Sequence, residues 1–147
     1  MHRSPPFVRP QIVCMVIPPS SFLLDERVFM SLGILKVAAV LEQAGHTVEM
    51  LDLSGIKNYV EAFEAHMRQT SAQVVALTTT TPQLPAAVAL ARCAREVKPD
   101  VRLILGGPHV TLVCSAVKLE KRAGRESRAY AAFARMATIF DVLVSGD

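Results

Sequence analysis

Tryptophan is absent from this 147-residue chain, and aromatic residues make up only 5% of it. Few rings are therefore available for nucleic-acid bases to stack on. Cysteine is scarce too. Cys14, Cys93 and Cys114 are odd in number and form no C-x-x-C, so no cysteine cluster here holds zinc or an iron–sulfur centre by itself. Cys14 lies in an apolar run and Cys93 in a helical pattern, which predicts buried free thiols and fits a reducing cytoplasm. Long apolar runs are missing. The stretch from Ile12 to Ile17 is too short for a signal-peptide core and ends in Pro18-Pro19, and nothing approaches the ~20 apolar residues of a membrane span.

An excess of one charge is also lacking. The formal net charge is +3, and Arg3, Arg9, Arg27, Lys36 and Lys57 share no face. The densest basic patch is Lys118, Lys121, Arg122, Arg125 and Arg128. It is interleaved with Glu120 and Glu126 and has only Tyr130 and Phe133 nearby. That describes a solvated helix surface rather than a nucleic-acid interface. Several signatures are absent as well. No G-x-G-x-x-G follows the first apolar run and no G-x-x-x-x-G-K-[ST] occurs, which argues against an ordinary dinucleotide or triphosphate site. No acidic cluster follows that run, as a receiver domain requires, and no G-x-S-x-G marks a hydrolase nucleophile.

What is present is an apolar chain, 51% hydrophobic, long enough for one continuous core. Met1 to Pro10 is proline-rich and predicts an extended lead-in; residues 11–147 read as a single domain. Short apolar runs predict strands at Gln11–Ile17, Thr47–Leu51 (with Asp52 at its tip), Gln73–Leu77, Val101–Leu105 and Phe140–Val144. Helical stripes lie between them. They are Ile34, Val37, Leu41 and Ala44; Ile56, Val60, Phe63 and Met67; and Ala87, Leu90, Ala91, Ala94 and Val97. All three are read as core. Gly45 predicts a helix C-cap, and Pro82 and Pro85 a helix start. After His109 the pattern predicts a helix from Val110 to Ala123, a break at Gly124, and a second helix from Ser127 to Ala137, capped by Ser127, with Tyr130, Phe133 and Ala137 on one face.

Strand and helix alternate, which predicts an α/β fold of flavodoxin-like, Rossmann-like type. It would be a doubly wound, five-stranded parallel sheet in the order 2-1-3-4-5 with helices on both faces. Ligands bind such sheets beyond the carboxyl ends of the strands. Two loops open there. Thr78-Thr79-Thr80-Thr81-Pro82 is rich in hydroxyls, and Gly106-Gly107-Pro108-His109 lacks side chains at two successive positions. The connection from Pro18 to Arg27 is long for its type and is marked as a third candidate.

The ordered set of pieces resembles the cobalamin-binding domain that precedes the catalytic barrel of cobalamin-dependent radical SAM enzymes. The matching stretches are Pro18-Pro19, Leu32 to Leu41, Gly45-His46-Thr47-Val48 with Asp52, Thr78 to Pro82, Gly106 to Thr111, and Phe140 to Asp147. The resemblance implies a corrin ring across the carboxyl edge and a nucleotide tail in a slot between sheet and helices. Thr78, Thr79 and Thr80 would offer hydroxyls and backbone groups to the tail, with Thr81 and Pro82 of the same loop also among the cofactor-binding residues. Gly106 and Gly107 would let the backbone approach it, and Pro108, His109 and Val110 would lie near the corrin edge. Pro18, Pro19 and Ser20 would face the ring.

Two departures qualify what the resemblance implies. The D-x-H-x-x-G of domains that ligate cobalt through histidine is absent, which implies base-off cobalamin without a protein histidine below the metal. No C-x-x-x-C-x-x-C follows, so no iron–sulfur cluster and no catalytic residue is expected in this chain. The partners implied are cobalamin and a radical SAM catalytic domain or protein, such as a methyltransferase; no nucleic acid and no membrane are expected. The stretch from Cys114 to Thr138 is longer than usual, and would cap the site or replace contacts of the barrel.

Plainer readings stand beside these. The threonines cap a helix and the glycine pair makes a tight turn. His109 makes a loop contact, His46 is structural, and Asp52 is a turn residue. Two rival functions remain: a flavodoxin-like module for a flavin or nucleotide, and a protein-interaction domain or incomplete product that has lost its ligand. The end at Asp147, with no final helix, favours the latter and predicts a thinly covered sheet face open to homodimerisation.

Overall fold

The computed structural model describes residues 9–20, 31–125 and 128–146. The lead-in before Arg9, the loop after Ser20 as far as residue 30, the proposed cap Ser127 and Asp147 lie outside them. The strands are β1 (Ile12–Ile17), β2 (Thr47–Asp52), β3 (Val74–Thr78), β4 (Arg102–Gly106) and β5 (Val142–Leu143). The helices are α1 (Leu32–Gln43), α2 (Tyr59–Gln69), α3 (Leu84–Val97), α4 (Pro108–Arg122) and α5 (Arg128–Ile139). Every strand pairing is parallel, in the order β2-β1-β3-β4-β5. The flavodoxin-like α/β expectation is met, with the switch point between β1 and β3.

Strand parity divides the core. Cys14 and Val16 of β1, Val75 and Leu77 of β3, and Leu103 and Leu105 of β4 join one large cluster with Phe63 and Met67 of α2, Leu90 and Ala94 of α3, Val110 of α4 and Met136 of α5. The alternate residues Val13 and Met15 face the other way. They pack with Ile34 and Ala38 of α1, flanked by Val74 and Ala76. Four helices thus cover one face and α1 alone the other, among the described residues. This is why β3 and β4 alternate buried positions with half-buried ones, or with the exposed Arg102 at the start of β4, instead of being buried on both faces as their composition predicts.

Local details follow the sequence closely. Gly45 adopts φ 89°, and the His46 amide donates to the Leu41 carbonyl at 3.0 Å, closing α1. His46 Nδ1 accepts the Gln11 amide at 3.1 Å, a structural role that ties the β2 entry to β1. Asp52 Oδ1 accepts the Ser54 amide at 2.9 Å, a turn contact. Gly124, at φ 65°, separates α4 from α5.

Two predicted helical stripes and one predicted strand are corrected. In α1 the buried residues are Ile34 and Ala38, and Val37 is 51% exposed, because the sheet beside it is not covered. In α5 the buried residue is Met136 and Tyr130 is exposed, because the helix meets the core through its C-terminal half and Phe140. The predicted strand Phe140–Val144 shrinks to two residues. Phe140 is core, and the Asp141 carboxylate accepts the Leu103 amide at 2.8 Å where a ladder bond would otherwise form.

Candidate functional site

The carboxyl ends of β1, β3 and β4 open on a cleft of about 420 Å³ beside α1. Small-molecule sites occupy roughly 300–1,000 Å³. Its floor is the thinly covered sheet face. Met15, Ala76, Thr78, Ile104 and Gly106 all belong to the parity that points away from the large core. Its roof is the first turns of α1, through Ser31, Gly33, Ile34 and Val37. Its far wall is Gly107, Pro108 and Thr111 with Val144, Ser145 and Gly146. That wall is tied together, since the Gly146 amide donates to Thr111 Oγ1 at 2.9 Å and the Val144 amide to the Leu105 carbonyl at 2.8 Å. The surface is mostly carbon, which suits a flat apolar ring better than a free phosphate.

The glycines have different reasons for being glycine. Gly107 sits at φ 97°, ψ −177°, a region almost closed to other residues. A Cβ there would stand 2.7 Å from Thr78 Oγ1, 2.7 Å from the Thr79 amide nitrogen and 2.9 Å from the Thr79 carbonyl oxygen. Its missing side chain makes room for the β3 loop. Gly106 is unconstrained in that way. A Cβ there would lie 3.6 Å from the Val144 carbonyl oxygen, an ordinary contact, on the side of the sheet that floors the cleft.

The β3 and β4 loops are locked together. The Thr79 amide donates to the Gly106 carbonyl at 3.0 Å, and the His109 amide donates to the Thr79 carbonyl at 3.0 Å. Thr79 is fully buried, and its hydroxyl donates to the Thr80 carbonyl at 2.8 Å. Thr80 precedes a single 3-10 turn (Thr81–Gln83) ahead of α3, with Thr80 and Gln83 in the positions of a capping box. The Gln83 side chain joins two loops. Its carbonyl oxygen accepts the Thr80 amide at 2.9 Å, and its amide donates to the Pro18 carbonyl at 2.8 Å. Thr81 Oγ1 and His109 Nδ1 lie 3.0 Å apart across the rim. Partial burial holds the His109 pKa below its ordinary value.

Of the residues singled out in the sequence, Thr78, Gly106, Gly107 and Pro108 line the cleft. Pro18, Pro19, Ser20, Thr79, Thr80, Thr81, Pro82, His109 and Val110 do not. Pro18, Ser20, Thr79 and Val110 are buried, whereas Thr80, Thr81 and Pro82 are exposed on the rim. The stretch from Cys114 to Thr138 forms most of α4 and α5, and none of its described residues lines the cleft. Met15, Ala76 and Ile104 were missed as lining residues. Strand alternation was the signal that would have found them, once it was known which face α1 leaves open. Val37 was missed because its helical spacing looked like core.

A family model described as the B12 binding domain matches residues 26–124. Among solved structures, the chain is similar to the radical S-adenosylmethionine methyltransferase TsrM from Kitasatospora setae, determined with tryptophan substrate and the SAM analogue aza-SAM bound. The TM-score is 0.59 at 14% identity, and the match covers 80% of this chain and 27% of that one. The likeness is therefore one of fold, and this chain spans about a quarter of that enzyme's length. No curated protein matches the sequence.

Proposed function

Because the chain belongs to the B12-binding domain family, we propose that residues 11–147 act as one unit that holds cobalamin at the carboxyl edge of the sheet. The nucleotide tail would enter the cleft under α1, against Ala76, Thr78, Ile104 and Gly106. The rim residues Thr80, Thr81, Pro82, Pro108 and His109 would meet the corrin edge. The observation that carries this is the cleft itself. It is an apolar slot at the sheet's switch point, floored by a glycine whose backbone conformation does not demand glycine.

The tail's base would occupy the slot, so cobalamin would be base-off. This reading is supported by the Thr81–His109 contact at the rim and by a first loop that begins Pro18-Pro19-Ser20, without a histidine. Cobalamin, when bound, supplies a cobalt centre that carries and gives up a methyl group. The chain's own residues hold and shield it. The catalytic partner would be a radical SAM domain or protein, in a reducing cytoplasm that keeps Cys14, Cys93 and Cys114 free. Among the described residues, no helix is long and apolar enough to cross a membrane.

The test is to mix the purified protein with hydroxocobalamin, remove free ligand by desalting and record the corrin spectrum. A retained base-off spectrum is expected, lost in Gly106→Leu, with circular dichroism of that variant as wild type. Absence of retention in the wild type, or full retention in Gly106→Leu, overturns the assignment. Native mass spectrometry of the protein as purified separates cobalamin from a flavin or nucleotide.

A further inference from the structure

On the opposite face of the sheet, away from the cleft, three donor side chains of different chemistry come together. Cys14 lies on β1 and Glu49 directly beside it on β2, as register partners. His66 reaches them from the last turns of α2. The Cys14 sulfur, a Glu49 carboxylate oxygen and a His66 ring nitrogen all lie within 4.8 Å of one another. His66 Nε2 is 2.9 Å from Glu49 Oε2, and the Thr70 hydroxyl holds both Glu49 oxygens at 2.7 Å. Cys14 is fully buried, whereas the Glu49 and His66 side chains are each 30% exposed. The group is thus sealed on the sulfur side and open to solvent on the other.

The geometry points to a site for a divalent cation of the zinc class, bound by Cys14 Sγ, Glu49 carboxylate and His66 Nε2, with water as fourth ligand. Nitrogen, sulfur and carboxylate oxygen in a tetrahedral set are what that ion prefers. Tetrahedral zinc spaces such atoms about 3.4–3.6 Å apart, from its usual bond lengths. The His66–Glu49 pair must open by roughly half an ångström and the widest pair close by about one, adjustments within reach of a rotamer change. Binding expels the Cys14 thiol proton to solvent and turns the His66 Nε2 lone pair to the ion, with the ring proton on Nδ1. No electron is transferred. The Thr70 hydroxyl orients the carboxylate from behind, as the second layer of metal sites does. Lys98, whose charge acts on Cys14 and Glu49, spends its ammonium on the Thr70 and Ala72 carbonyls, the latter at 2.9 Å. Cysteine spacing in the sequence concealed the group, because only one ligand is a cysteine and the three are brought together by strand register.

Titrating the metal-free protein with Co²⁺, in the absence of any corrin, tests the assignment. Saturable thiolate-to-cobalt charge transfer and tetrahedral visible bands at one equivalent are expected. Zn²⁺ should displace them, and the melting temperature should rise with Zn²⁺. His66→Gln and Glu49→Gln, at half-exposed positions, should abolish the visible bands while keeping the wild-type circular dichroism. Cys93→Ser should leave every signal unchanged. No charge-transfer band in wild type, or bands that survive in His66→Gln, overturns the proposal. Neither result bears on cobalamin retention, which is measured separately.

Discussion

Adjacent glycines in this fold should respond in opposite ways to the same methyl group. Gly107→Ala forces a side chain into a backbone region that costs ~1–3 kcal/mol for residues other than glycine. It also drives a Cβ to 2.7 Å from Thr78 Oγ1 and the Thr79 amide nitrogen, and overpacking of this kind costs a further ~1–3 kcal/mol. Those atoms cannot yield cheaply, because the Thr79 amide and carbonyl are bonded to Gly106 and His109. The combined loss is ~2–6 kcal/mol, against the ~5–15 kcal/mol that holds a domain together. At ~2–4 °C per kcal/mol for a chain of this size, the melting temperature falls on the order of 10 °C. Gly106→Ala meets only the Val144 carbonyl oxygen at 3.6 Å and the Val144 Cβ at 3.8 Å. It should stay within ~1 kcal/mol of wild type, since reduced freedom of the unfolded chain offsets any crowding. Urea denaturation followed by circular dichroism measures both. If Gly107→Ala unfolds at the wild-type urea concentration, or Gly106→Ala loses as much as its neighbour, the division between a structural and a ligand-facing glycine is wrong.

Other consequences are equally direct. Phe63 is fully buried at the centre of the large core, so Phe63→Ala should lose ~3–5 kcal/mol in the same urea assay. The Leu103 amide, with Arg95, holds the Asp141 carboxyl below the usual carboxylate range despite the opposing effect of burial. A carboxyl whose pKa is lowered on folding stabilises above its unfolded pKa of ~3.9 and loses that contribution as pH falls toward its folded value. Thermal melts from pH 6 downward, on the order of three units, should therefore show a shallower acid loss in Asp141→Asn than in wild type. Burial pushes the Cys14 thiol up to about 12. A maleimide at neutral pH should modify the half-exposed Cys114 first and leave Cys14 untouched, as read by peptide mass spectrometry.

The alternation of strands and helices, the sheet order, the helix cap at Gly45 and the break at Gly124 were legible in the sequence, because periodicity and glycine placement are local. Each of β1, β3 and β4 nevertheless starts one residue later than composition predicts. Gln11 and Gln73 accept the Thr47 and Arg102 amides and Val101 donates to the Lys98 carbonyl just before each strand pairs, and the register set by partners decides the boundary. The fifth strand was overestimated because Phe140 looks like a strand residue and acts as a plug beneath α5. At the site, the sequence pointed to the loops, but the cleft is built mainly from a sheet face and a helix. Which face α1 leaves open is a property of the assembled sheet. The same holds for Val37, whose helical spacing is indistinguishable from core until the neighbouring surface is seen to be bare.

The unequal dressing of the sheet also sets a hierarchy of motion. Only Ile34 and Ala38 of α1 are buried, whereas α3 sinks Ala86, Ala87, Leu90, Ala91, Cys93 and Ala94. Local opening is cheapest where the fewest apolar contacts must be broken. The amides of α1 should therefore exchange with solvent hydrogen ahead of those of α3. The element that covers the cavity can lift away while the rest of the molecule stays intact.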